Sequence, residues 1–209
     1  VDLLVVRGAT SLDAAAATLR LDRHGLELLS ALLATRGVIA CEGAVFRPTD
    51  RFLDALRFRD LMEAKLAIAN LGARDLLDRF TELVRDPIGA MGSLAFCRLF
   101  AYDRCLQDTP DNDRSTRRWM AITSVLTRYE AGVCLRHHDF GRHLRMLDIG
   151  GNSGEFALRV CRQQPRLRAV VADLPVVCRI GREHVAGQPE AERIEFVVAN
   201  ALRDPLPGD

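Results

Sequence analysis

The chain has 209 residues, 48% hydrophobic and 27% charged, with a formal net charge of +1. That length holds one large domain or two small ones with a sizeable core, and the apolar share excludes a mainly disordered chain. No run of about 20 apolar residues occurs, which excludes a membrane-spanning helix, and near-neutrality gives no overall pull toward nucleic acid or anionic lipid.

In chain order, Ser11 is suited to cap a helix running to about Leu19. A second helix is predicted over Arg23–Thr35, with Leu26, Leu29, Leu32 and Leu33 at helical spacing and Gly37 as its stop. Val38–Cys41 and Val45–Arg47 read as two short strands turning at Glu42-Gly43. Helix–turn–helix with a two-stranded wing is a winged-helix pattern, which serves either DNA binding or protein docking. Residues 1–90 hold 12 basic and 13 acidic side chains, whereas DNA binding needs a basic excess. With Leu28 adding to the leucines of the second helix, dimerisation is the favoured reading.

Helical patterns continue from Arg59 to about His137. Leu61, Leu66, Leu76, Phe80, Leu83 and Val84 are expected in buried stripes. Breaks are expected at Gly72, at Asp86-Pro87 and in a polar loop over Asp108–Asp113. The helix after that loop carries Trp119, Ile122, Leu126, Tyr129 and Val133 on one face. Spacing alone explains Trp119 and Met120 by helix packing.

After Arg142 the pattern changes. Strands are predicted over Arg145–Ile149, Arg168–Ala172 (ending in Asp173) and Ile194–Ala199. A helix over Glu155–Gln164 stops at Pro165, and Pro175 suits the first turn of the next helix. This βαβαβ order implies a parallel sheet with right-handed crossovers. The fold class is α/β: a mostly helical winged-helix dimerisation domain (1–90), a helical connector carrying substrate-pocket helices (91–143) and the first half of a Rossmann-like domain (144–209).

The six cysteines, Cys41, Cys97, Cys105, Cys134, Cys161 and Cys178, form no CxxC pair. Reduced thiols in a cytoplasmic protein are therefore expected, and no clustered ligands point to a metal.

The chemistry sits in the segment Met146–Glu155, which reads MLDIGGNSGE. A strand that ends in a glycine-rich turn and opens a helix lets the backbone approach a ligand closely. Asp173, at the end of the second strand, is placed to accept hydrogen bonds from two ribose hydroxyls. The alternative is a tight turn with an ordinary surface Asp. A dinucleotide fingerprint needs glycine at 152, where Asn152 stands. Asp148 would also repel a pyrophosphate, but it tolerates an ammonium. S-adenosylmethionine carries an ammonium, a carboxylate and a ribose without phosphate, so the pattern favours it.

The stretch from Arg145 to Asp209 resembles the first half of a class I S-adenosylmethionine-dependent methyltransferase domain. More narrowly, it resembles small-molecule O-methyltransferases of the plant caffeate/flavonoid and bacterial natural-product type. The matches are LDIGGNSG at 147–154, ADLP at 172–175 and RIEFVVANALRDPLP at 193–207. In that family a winged-helix module builds a homodimer, which agrees with the N-terminal pattern.

The resemblance implies that Gly150, Gly151 and Gly154 line the methionine end of the cofactor, with Asp148 orienting its amino group. Asp173 would hold the ribose with Leu174 packed beside it. Where the family has Gly-Asp after the third strand, this chain reads Ala199-Asn200. Asn200 could accept from the adenine amine, and Ala201 would pack on the ring. Asn152 replaces the third loop glycine and tolerates positive φ. Met120 matches a substrate-pocket position.

The implied function is methyl transfer to a hydroxyl of a small aromatic molecule. The family's base is a His later in the domain. None of His24, His137, His138, His143 and His184 stands at that position, so the catalytic residue is unassigned. Seven strands form the family's sheet and three are readable here, so a longer polypeptide is expected. The alternatives are a non-catalytic, dimerising or regulatory relative, and a winged-helix regulator sensing a nucleoside.

Overall fold

A computed structural model describes residues 2–207. They fall into two compact units divided in sequence between Arg59 and Asp60.

The first unit holds α1 (Asp2–Arg7), β1 (Thr10–Ser11), α2 (Leu12–Leu19), α3 (Arg23–Thr35), β2 (Ile39–Glu42), β3 (Val45–Pro48) and α4 (Asp50–Ala55). Ser11 caps α2 by accepting the Ala14 N–H at 3.2 Å, and Asp22 caps α3 by accepting the Gly25 N–H at 2.7 Å. β2 and β3 pair antiparallel with Glu42 opposite Val45. The turn is therefore Gly43-Ala44, one residue later than expected, because Gly43 supplies the positive φ of +60°. β1, too short to show a period in sequence, pairs with β3 to complete a three-stranded sheet.

The core of this unit is Ala15, Ala16, Leu26, Ile39 and Phe46, with Leu33 packed against it. Leu29 and Leu32, expected in the buried stripe, are exposed together with Leu28. α3 turns Leu26, Ser30 and Leu33 inward, and its remaining leucines face outward.

The second unit contains nearly all of α5 (Arg59–Arg85), then α6 (Pro87–Met91), α7 (Ala95–Leu99) and α8 (Pro110–His137). Gly72 does not break α5; the only non-helical φ/ψ inside it is at Arg79. An isolated glycine weakens a helix by about 1 kcal/mol, which tertiary packing overrides. Leu66, Leu76, Phe80 and Val84 are exposed, contrary to the expected buried stripes. The smaller Ala64 and Ala67, with Ile68 and Leu71, face the core instead.

Pro110–Asp113, expected as a loop, are the first turn of α8. Thr109 accepts the Asn112 N–H at 3.2 Å, Pro110 occupies the first turn, and Asp111 and Asp113 complement the helix dipole. Along α8, Trp119, Met120 and Ile122 are buried against Ala64, Leu99, Val176, Val177 and Ile180, whereas Val133 is exposed.

β4 (Arg145–Ile149), α9 (Glu155–Gln163), β5 (Arg168–Asp173), α10 (Pro175–Val185) and β6 (Ile194–Val198) follow, within a residue of the predicted bounds. The sheet is parallel in the order β4-β5-β6. Ile149, Ala172 and Val197 lie in register, so the segments leaving all three strands emerge side by side. Ala157, Val160, Cys161, Leu167 and Val171 form the core of this layer. Leu147 and Ile149 of β4 are exposed.

Asp75, buried in the middle of α5, accepts the N–H groups of Ala95 and Phe96 at 2.9 and 2.8 Å. It caps α7, whose own N-cap, Leu94, offers no side-chain acceptor. Asp75→Ala is expected to lower the unfolding free energy by about 1–2 kcal/mol. Asp75→Asn should lose less because an amide oxygen still accepts; urea unfolding midpoints of the two variants check this.

Candidate ligand site at the strand tips

β4 ends in a turn whose conformation explains its residues. Gly150 (φ +67°) donates its N–H to the Ala172 carbonyl at 2.8 Å, which ties the turn to β5. A Cβ on Gly151 would lie 2.6 Å from Asp148 Cγ and 2.9 Å from Val171 Cγ1, so only glycine leaves room for the Asp148 carboxyl. Gly154 (φ +74°) precedes α9, where a Cβ would meet Phe196 Cζ at 2.8 Å. Asn152 takes φ +57°, donates its backbone N–H to Asp173 Oδ2 at 2.8 Å and its Nδ2 to Thr123 Oγ1 at 2.7 Å. Ser153 and Ser124 share a hydroxyl hydrogen bond of 2.6 Å.

Asp173 is 9% exposed, which removes the reading of an ordinary surface acid. Its Oδ1 accepts the Leu174 N–H at 2.7 Å while Oδ2 takes Asn152. Burial still pushes its pKa upward against those two bonds. Burial, followed by the Asp173 charge, pushes Asp148 up to about 6, and Asp148 Oδ2 is buried with no donor. Two carboxylates at adjacent strand ends thus make a negative, partly desolvated site.

Glu155, in the first turn of α9, behaves oppositely. Burial alone would raise its pKa, but hydrogen bonds from His184 (2.9 Å) and Arg159 (2.9 Å) hold it near 2. His184 is therefore a structural partner of Glu155. His138 and His143 stack on each other at the surface.

Five of the nine residues predicted to meet the cofactor line one cavity of about 340 Å³: Gly150, Asp173, Leu174, Asn200 and Ala201. Asp148, Gly151, Asn152 and Gly154 build and support the turn instead of lining that cavity. Asn200 Oδ1 already accepts the Leu202 N–H at 3.1 Å, which leaves the amide oxygen one lone pair. Met120 is not with this group. It lines a separate cavity of about 380 Å³ with Ser124, Ser153, Ile180 and His184, because its side of α8 differs from that of Trp119.

Sequence reasoning missed the two aromatic residues of the first cavity, along with the apolar Ala172, Val177, Ala199 and Leu202. Trp119 and Tyr102 line it and contact each other with ring centroids 5.1 Å apart. Spacing assigned Trp119 to helix packing, which is also true. Tyr102 lies in a short 3-10 turn (Tyr102–Leu106) and carries no periodic signal. Among the described residues no cluster of three metal-binding side chains occurs, and no helix is long and apolar enough to cross a membrane.

A parallel sheet with a glycine turn at one strand tip and an acid at the end of the next defines the class: an α/β domain of the nucleotide-binding type. Residues 81–209 match the family model of the O-methyltransferase domain, and the chain belongs to this family. It is similar to the 3-hydroxy-5-methyl-1-naphthoate 3-O-methyltransferase of Streptomyces sahachiroi, 40% identical over 63 residues, which are 30% of this chain and 18% of that protein. Among solved structures it matches the S-adenosylmethionine-dependent methyltransferase SibL in its apo form, with 28% identity and a TM-score of 0.67 over 99% of this chain. PigF with SAH, at 18% identity and a TM-score of 0.72 over 99% of this chain, shows the same fold. The chain spans 60% of the SibL structure and 61% of the PigF structure.

Because Asp148 titrates near 6 in the folded chain and at the ordinary 3.8 when unfolded, its ionisation weakens folding above pH 6 and has no such effect below pH 4. Asp148→Asn is therefore expected to stabilise the ligand-free protein by about 1–3 kcal/mol at pH 7. The gain should shrink to nothing as pH falls below 4, and thermal unfolding across that range checks both.

Proposed function

We propose that this chain binds S-adenosylmethionine at the strand tips and serves methyl transfer to a hydroxyl of a small aromatic molecule. The observation that carries the reading is the convergence of Gly150, Asp173, Leu174, Asn200 and Ala201 on one cavity.

The residues fit the cofactor. Asp148 Oδ2 and Asn152 Oδ1, in the turn beside the cavity, are buried acceptors without donors, and their uncompensated negative potential suits a ligand carrying a positive charge. The charge of the two acids favours a cation and disfavours a phosphate. Each Asp173 oxygen keeps a lone pair for a ribose hydroxyl. Leu174 and Ala201, with the aromatic pair Tyr102 and Trp119, offer an apolar surround for an adenine ring, and Asn200 a polar contact.

When bound, the cofactor supplies a methyl group already activated by its sulfonium. The chain's own part is to fix the nucleoside and keep water from it. Alignment of this kind is worth about 7–11 kcal/mol in well-oriented cases. A general base adds about 10²–10⁴-fold, and no histidine lines the cavity of Asp173. In this reading Met120 and the second cavity border the acceptor.

The N-terminal helices and hairpin act as a winged-helix module for a homodimer. The exposed leucines of α3 and the exposed stripe of Leu66, Leu77, Phe80 and Val84 on α5 support a second copy as the covering partner. The six free thiols support a reducing, cytoplasmic setting.

Trp119 is the only tryptophan and lines the cavity, so its fluorescence reports occupancy directly. Titration with S-adenosylhomocysteine is expected to change that emission with micromolar affinity. Asp173→Ala should weaken binding at least about tenfold, the worth of one or two charge-assisted hydrogen bonds. Lowering pH from 7.5 to 5.5 should also weaken it, because Asp148 gains a proton as pH falls through about 6. A flat titration would remove the reading.

A further inference from the structure

Asn152 stands where three neighbours of the turn are glycine, and it adopts φ +57° without the freedom of glycine. The bonds around it explain how. The Thr123 hydroxyl spends its single proton on helix carbonyls of α8, those of Trp119 (3.1 Å) and Met120 (3.3 Å). Its oxygen is then left as an acceptor only, and it takes Asn152 Nδ2 at 2.7 Å. That bond holds the residue in the left-handed region and directs its backbone N–H to Asp173 Oδ2 at 2.8 Å. Beside it, Ser153 and Ser124 form a second tether between the turn and α8.

We infer that Thr123 is a positioning residue: through Asn152 it presets Asp173 and the turn for the ligand, so the α8 segment that lines both cavities also fixes the turn. The inference deepens the proposed cofactor site and rests on that reading for its functional consequence. The latch itself is a property of the ligand-free chain. A glycine at 152 would take the same φ without strain but would lack the amide that anchors it.

The test compares wild type, Thr123→Val, Thr123→Ser, Asn152→Gly and the Thr123→Val/Asn152→Gly double variant by two readouts. The first is amide hydrogen exchange at residue 152 in the ligand-free protein. The second is the affinity for S-adenosylhomocysteine read from Trp119 fluorescence.

The worth of one neutral hydrogen bond predicts an increase of about three- to tenfold in exchange, and a similar loss of affinity, for Thr123→Val and for Asn152→Gly. The double variant should be no worse than Asn152→Gly alone, because both changes remove the same contact. Thr123→Ser, which keeps the hydroxyl, should stay within about twofold of wild type. A purely structural role for Thr123 would lower the melting temperature of both Thr123 variants but leave the exchange at residue 152 unchanged.

Thr123→Val matching wild type in exchange at residue 152, or increases in exchange that add fully in the double variant, would overturn the inference. If wild type fails to bind S-adenosylhomocysteine, the cofactor reading falls while the exchange data still decide the latch.

Discussion

Asp173 accepts backbone N–H groups from Asn152 in the turn after β4 and from Leu174 at the start of α10. The first of these bonds joins the ends of the adjacent parallel strands β4 and β5, and the second fixes the same carboxylate at the start of α10. The glycines on either side follow from them. Gly150 bonds back to Ala172, Gly151 makes room for Asp148, and Gly154 brings α9 against Phe196. A side chain at Gly151 would collide with Asp148 and Val171, and one at Gly154 with Phe196.

The same arrangement has a cost in stability. Asp148 and Asp173 are both raised by burial, and the second raises the first further. Such a pair is disfavoured in a fold that has nothing to bind, whereas a cationic ligand relieves it. Glu155 shows the contrasting solution nearby. Also buried, it is surrounded by His184, Arg159 and Arg128 and held far below the usual carboxylate range. One acid is neutralised for structure, and two are left for a ligand.

Much of this was legible in the sequence because the signals are local. The bounds of β4, α9, β5, α10 and β6 follow from short apolar runs stopped by glycine, proline and aspartate. Asp173 was identifiable by its distance from the turn. What was not legible depends on tertiary placement. The stripe of Leu66, Phe80 and Val84 shows period but not whether anything covers it. The first turn of α8 was hidden because Thr-Pro-Asp-Asn-Asp marks a loop as well as a capped helix start. Tyr102 enters the cavity from a 3-10 turn that no periodicity announces, and Thr123 is recognisable as a partner of Asn152 only once α8 and the turn are placed together.

The central claim is that the turn at 150–154 and Asp173 hold a sulfonium nucleoside. Backbone amide NMR of the free and S-adenosylmethionine-saturated chain tests it most directly. The account predicts the largest shift changes at residues 150, 152, 174 and 200–201. Shifts confined to the cavity of Met120 and His184, or scattered over the first unit, would contradict it.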